Sequence, residues 1–159
     1  MNRHAMRGLV VQTLYHLEVG VSEKQDAIEN IEWFVNHLKE KALENAELSL
    51  TNDVIEKEFT IEAYYHTTVD GIIENMEEID CLLTENLDGW SIKRLNKVDK
   101  AILRLAIFEM LTSNTNHRII INEAIELTKN FTDSGDKKAP NFNNRILDKV
   151  SQTIREKRG

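Results

Sequence analysis

A single cysteine, Cys81, stands among the 159 residues of this chain. One thiol cannot close an intramolecular disulfide, so the fold must rest on a packed core, and a reducing, cytoplasmic setting is expected. With one proline and six glycines, the chain has few places to break or turn. No apolar run approaches the roughly 20 residues of a membrane span, and the N-terminus lacks the apolar core of a secretory signal. No membrane association is therefore expected. A glycine-rich phosphate loop and a His-Glu-x-x-His pair are also missing, and Cys81 has no activating partner near it in sequence. These gaps point away from an enzyme, and neither a cofactor nor a metal is expected.

One pattern tests the metal expectation. Glu58, Glu62, His66 and Asp70 recur at i, i+4 spacing and would share a face of one helix. A ligand site needs donors converging from several elements, so the stripe reads more readily as a solvated face.

Charge is abundant but unevenly placed. The total of −7 argues against a simple basic nucleic-acid binder. By segment, residues 1–17 sum to +2, residues 18–88 to −15 and residues 89–159 to +6. Such segregation fits an acidic flank and a basic face built where the chain ends meet, or chance variation along the surface.

Periodicity is helical almost throughout. Met6, Val10, Leu14 and Leu17 define a first helix that Gly20 would stop. Ser22 with Gln25 reads as a capping box for a second, which carries Ile28, Ile31, Trp33, Phe34 and Leu38. Residues 45–54 look like a connection, followed by a third helix from Ile55 to about Met76. A fourth runs from Glu77 to about Leu87, where Asp88-Gly89 stops it. Asn96 is placed to cap a fifth, whose body from Ala101 to Leu111 is apolar nearly all round and so belongs at the centre of the fold. Ile119-Ile120-Ile121 is taken as the first turn of a sixth rather than a short strand. Thr132–Pro140 is the clearest loop, and a last helix runs from about Asn141 to Arg155. About seven helices and no sheet make this an all-α chain.

On the first helix Arg3 and Arg7 lie at i, i+4, with His4, Gly8 and Tyr15 further round. Arginines for phosphates and a tyrosine for base stacking suit single-stranded RNA. A plain solvated helix face, with Tyr15 half-buried in the core, explains the same residues.

Three blocks carry a family resemblance. Residues 90–110 (WSIKRLNKVDKAILRLAIFEM), residues 121–131 (INEAIELTKNF) and Phe142 to Asp148 resemble, in order, segments of the NusB family of bacterial transcription antitermination factors. The second is similar to that family's I-N-E-A-[IV]-E-L-A-K-x-[FY], the third to its F-V-N-G-[VI]-L-D. Arg3, Arg7, Val11-Gln12-Thr13-Leu14-Tyr15 are similar to its arginines followed by A-x-Q-A-L-[YF]. Residues 20–60 lack a counterpart.

The resemblance implies an all-α fold of two small bundles packed across each other, divided here as residues 1–52 and 53–159, without catalysis or cofactor. It implies binding to boxA-type single-stranded RNA together with the small-subunit ribosomal protein that doubles as NusE. That pair would act in antitermination, notably of ribosomal RNA transcription, and indirectly with RNA polymerase and other Nus factors. Similar domains occur fused to RNA cytosine methyltransferases, but 159 residues leave no room for one, so the free factor is expected. The alternative is an adaptor that has lost most RNA binding and docks a basic partner on its acidic segment.

Carried over by position, Arg3 and Arg7 match the family's RNA-contacting basic segment, and Tyr15, Asp99 and Phe142 fall where the family contacts RNA. His4, beside the arginines on the first helix, is expected to join them. Tyr15 and Phe142 would stack on bases, Asp99 would accept from an exocyclic amine, and Lys137 and Lys138 would meet phosphates. Phe142 also reads as a core residue of the last helix, and Asp99 as part of a helix cap. Two departures stand out. Gly8 replaces a polar residue of an arginine-richer segment. Phe142-Asn143-Asn144-Arg145 stands where the family has F-V-N-G, and the glycine-to-arginine change removes a close-approach site and adds a cation near the expected RNA surface.

Overall fold

A computed structural model describes residues 1–20, 23–45 and 49–158, with the side chains of residues 49–51 outside the description. The described residues form eight α-helices and one 3-10 turn, with no strand among them. They divide into two compact units, Met1–Val69 and Asp70–Gly159. The division lies beyond the 52/53 boundary read from sequence, because α3 (Ser49–Glu58) packs on α2 (Lys24–Glu44). The start of α4 (Ala63–Glu74) is tied in by Tyr65.

In the first unit, α1 (Arg3–Glu18) opens on Asn2, whose side chain accepts from Ala5 N at 2.8 Å. Its apolar stripe buries Met6, Val10 and Leu14 against Ala27, Ile28, Ile31 and Val35 of α2. Gly20, just past the end, takes φ +72°, a region that costs a residue with a Cβ about 1–2 kcal/mol. Ser22, half of the expected capping box, lies outside the described residues. Tyr65 is fully buried, and its hydroxyl meets Thr13 Oγ1 at 2.6 Å. Burial pushes the phenol up to about 12, against the lowering effect of the Thr13 bond.

The single third helix expected over residues 55–76 is instead two. Past the end of α3, Thr60 Oγ1 donates to Glu56 O at 2.5 Å. The chain leaves helical geometry over residues 59–62. The expected connection at 45–54 is correspondingly shorter, since α3 already begins at Ser49.

In the second unit, α5 (Met76–Glu85) ends at Asn86, and Asp88 and Gly89 take φ 50° and 87° in the turn that follows. After the 3-10 turn Ile92–Arg94, α6 (Lys97–Thr112) runs through the centre, packed by α5, α7 (His117–Phe131) and α8 (Lys138–Arg158). Every residue from Lys100 to Met110 of α6 is buried except Arg104, as its apolar circumference demands. Arg104 grips Asp80 of α5 with two 2.9 Å bonds, Nε to Oδ1 and Nη2 to Oδ2. The last helix starts three residues earlier than read from sequence. Pro140 sits in its first turn, where a missing N–H costs nothing.

Candidate nucleic-acid interface

The candidate residues fall on both units, and each group has its own local cause. On α1, no acid occupies the first turn, and the i, i+4 spacing sets Arg3 and Arg7 on one face. That face meets Tyr64 of α4. The Arg3 guanidinium carbon lies 4.2 Å from the Tyr64 ring centroid, and that of Arg7 lies 5.9 Å away. Both are within cation–π range. Stacking on a ring leaves a guanidinium's N–H edges in its own plane, the orientation that phosphate recognition uses. His4 is half-buried on the same helix, and Gly8 likewise. Tyr15 is 38% exposed, edge-on to His16 at 6.1 Å. It stands about 12 Å beyond Arg7 along the axis.

In the second unit, a hydrogen-bonded cluster ties together the start of α6, the end of α7 and the start of α8. Asp99 Oδ1 accepts from Thr132 Oγ1 at 2.7 Å and from Asn143 Nδ2 at 3.3 Å. Asn143 Nδ2 also donates to Thr128 Oγ1 at 3.0 Å, while its own Oδ1 is buried without a partner. The capping role expected at Asp99 belongs to Asn96 alone, whose side chain accepts from Val98 N and Asp99 N. The Asp99 carboxylate thus orients neighbouring helices instead.

The α7–α8 loop leads from this cluster. Asp133 Oδ1 accepts from Gly135 N and Lys137 N, and Asp136 Oδ1 accepts from Lys138 N at the start of α8. Lys137 is held at φ 63°, a left-handed conformation that only a fixed loop sustains in a residue with a Cβ. Lys137, Lys138, Asn144 and Arg145 are exposed, and Phe142 is half-buried rather than a full core residue. The loop and the helix ends beside it therefore bring together Lys137, Lys138, the Phe142 ring and three carboxylates, Asp99, Asp133 and Asp136. The last two are occupied in holding loop N–H groups.

The stripe from Glu58 to Asp70 is not continuous. Glu58 lies on α3 and Glu62 in the break, so the helical spacing that aligned them does not exist. His66 faces Glu32 at 3.9 Å instead. No group of three or more His, Cys, Asp or Glu side chains among the described residues is placed to hold a metal ion.

The NusB family pattern matches residues 4–152. The chain belongs to the NusB family. It is 35% identical over 151 residues to the transcription antitermination protein NusB of an Exiguobacterium strain, covering 94% of this chain and 97% of that protein. A solved structure of NusB from T. maritima superposes with a TM-score of 0.66 at 25% identity, over 96% of this chain and 92% of that one. Another, of the antitermination factors NusB and NusE in complex with double-stranded RNA, gives a TM-score of 0.64 at 22% identity. It covers 95% of this chain and 96% of that one, and shows likeness of fold. The all-α reading stands. No described helix is long and apolar enough to cross a membrane.

Against the NusB pattern, the replacement at F-V-N-G gains a structural meaning. Asn143 takes the valine position and is completely buried, whereas Asn144 and Arg145 face outward. Sequence reasoning missed Tyr64, Thr132 and Asn143. For Tyr64 a signal existed: adjacent helix residues point about 100° apart, so on a helix with one buried face only one ring of the pair Tyr64-Tyr65 fills the core.

Proposed function

We propose that this NusB-family chain is a transcription antitermination factor that binds boxA-type single-stranded RNA together with the small-subunit ribosomal protein acting as NusE. It serves antitermination notably of ribosomal RNA transcription, and reaches RNA polymerase and other Nus factors through that complex. It acts in the cytoplasm as a binding module, with no catalytic step and no cofactor. The family match across residues 4–152 carries this reading. The relatives named for antitermination and the solved relative holding NusE and RNA support it.

The chemistry assigns roles. In the first unit, Arg3 and Arg7 take phosphates, His4 adds a further donor, and Tyr15 stacks on a base. In the second, Lys137, Lys138 and Arg145 take phosphates and Phe142 stacks. Asn144 offers an amide, and Asp99 keeps acceptor capacity for an exocyclic amine. A net charge of −7 weakens RNA binding by the chain alone, so the ribosomal partner is needed for tight binding.

Fluorescence anisotropy with a boxA-like RNA, with and without the partner, tests the proposal at several salt concentrations. Binding is expected to tighten when the partner is added, with a log–log salt slope of about −1.5 to −3.5 for two to five phosphates. Absence of binding in both mixtures refutes it. Undiminished RNA recruitment by the Arg3→Ala, Arg7→Ala double variant removes α1 from the interface.

A further inference from the structure

Within the second unit, the first turns of α7 and the outer half of α8 enclose an open groove of about 670 Å³. Arg118 borders it from α7 and Arg155 from α8, with Asn122 and Asn144 as amides and Asp148 as the one carboxylate among the described residues lining it. Asn144, Asp148, Ser151 and Arg155 recur at i, i+4, i+7 and i+11 and therefore share one face of α8. His117 Nδ1 and Ser151 Oγ meet at 2.7 Å and join the two walls. Arg118 and Arg155 are exposed, and neither has an ion-pair partner among the described residues.

The field in the groove is positive. Burial holds His117 below its ordinary pKa against a backbone hydrogen bond at Met110 that raises it, and the charges of Arg155 and Arg158 lower it further. A second cation-bearing surface is thus present round the helix from Phe142, sharing only Asn144 with the interface assigned above. Asp148 selects among anions. The Asp148 carboxylate repels any anion, so it favours a ligand that carries a hydrogen-bond donor close beside its negative charge. A ribose 2′-hydroxyl or a base amine brings one.

We infer that this groove binds a phosphodiester of an RNA strand, with Arg118 and Arg155 on the phosphate oxygens and Asp148 accepting from a ribose hydroxyl. The inference rests on the RNA-binding reading above and extends its footprint. From Lys138 to Arg155 the helix rises about 26 Å. At about 3.4 Å per nucleotide of a stacked strand, Arg155 at the far end of the groove is reached by RNA extended about eight nucleotides beyond the loop.

The test compares the boxA-like RNA with the same RNA carrying an eight-nucleotide flank at either end, bound to the chain with its ribosomal partner. Wild type is expected to bind one flanked RNA more tightly, with a salt slope steeper by about 1.4 for two additional phosphates on a single strand. Arg118→Ala with Arg155→Ala should bind the short RNA as wild type does and lose the gain from the flank. Both side chains are exposed, so helix content and Tm should be unchanged. Equal gain and slope in wild type and the double variant overturn the groove while leaving the function standing. No binding of either RNA by wild type overturns both. A polyglutamate peptide that competes in wild type but not in the double variant shows an acidic-peptide site and overturns the assignment to RNA.

Discussion

Replacing Asn143 by valine, the residue the NusB pattern carries at this place, is expected to leave the chain as stable or more stable. Asn143 is completely buried. Its amide nitrogen makes two bonds, to Thr128 Oγ1 at 3.0 Å and to Asp99 Oδ1 at 3.3 Å, while its carbonyl oxygen makes none. The neutral bond contributes about 1 kcal/mol, and the longer bond to a carboxylate about 1.5 kcal/mol. Against this loss of about 2.5 kcal/mol stands release of the orphan carbonyl, whose burial costs about 1–3 kcal/mol. A buried valine adds about 1.5 kcal/mol of apolar transfer. Neither former partner is stranded: Thr128 Oγ1 still donates to Ala124 O, and Asp99 still accepts from Thr132. The balance is a gain of about 0–2 kcal/mol. Urea unfolding followed by circular dichroism measures it through the midpoint at constant m. Asn143→Asp is the reverse control. It places a second carboxylate against Asp99 and should lose about 3 kcal/mol or more at neutral pH. A loss above about 2 kcal/mol in Asn143→Val would refute the reasoning, because the two bonds would then outweigh the unpaired oxygen.

Tyr64→Ala removes the ring beneath Arg3 and Arg7 and should weaken RNA binding about two- to tenfold, the span of one or two exposed cation–π contacts, while Tyr64→Phe keeps it. Anisotropy titration reads both, and equal affinities for the two variants would count against the ring. Gly71→Ala sets a Cβ 2.3 Å from Phe108 Cζ. The helix-propensity gain of about 1 kcal/mol is outweighed by overpacking of about 1–3 kcal/mol, so Tm falls, and Phe108→Leu in the same chain restores it. Arg104→Lys cannot reproduce the two-pronged grip on Asp80 and should lose about 1–3 kcal/mol in chemical denaturation. His117 has its folded pKa depressed below the unfolded value of about 6.5. The unfolded chain therefore binds the proton first, and the stability His117 contributes is complete above that value and is lost as pH falls through its folded pKa. His117→Gln should flatten the Tm profile between about pH 7.5 and 5, and an unchanged profile would contradict the assignment.

What the sequence disclosed and what it hid divide along the range of the interaction. The burial of α6 was legible because an apolar circumference has one consequence wherever the helix lies. Arg3 and Arg7 were legible as a pair because i, i+4 spacing is local. Tyr64, which stacks beneath them, is distant along the chain, and only the packing of α4 in the first unit brings it there. Asp99 was visible as a polar residue at a helix start. Its partners on α7 and α8 were not, so capping was a natural reading and the wrong one. The break between α3 and α4 falls at residues 59–62, where neither a proline nor a glycine marks it in the sequence.

Charge shows the same limit at a larger scale. The second unit sums to only −1, with 14 cations against 15 acids over residues 70–159. The fold decides which of those cations are neutralised. Arg104, Lys149 and Lys157 face Asp80, Asp88 and Glu85, on α5 and the turn after it, and are matched by them. Lys137, Lys138 and Arg145, like Arg118 and Arg155, have no ion-pair partner among the described residues. With Lys93, Arg94 and Lys97, which have none either, the unmatched cations lie at the 3-10 turn and the start of α6, at the start of α7, in the α7–α8 loop and along α8. A near-neutral unit can in this way present a cationic surface. Its RNA affinity should then follow the few unmatched charges: neutralising Lys137 and Lys138 should flatten the salt slope by about 0.7 each, whereas Lys149→Ala should leave the slope unchanged.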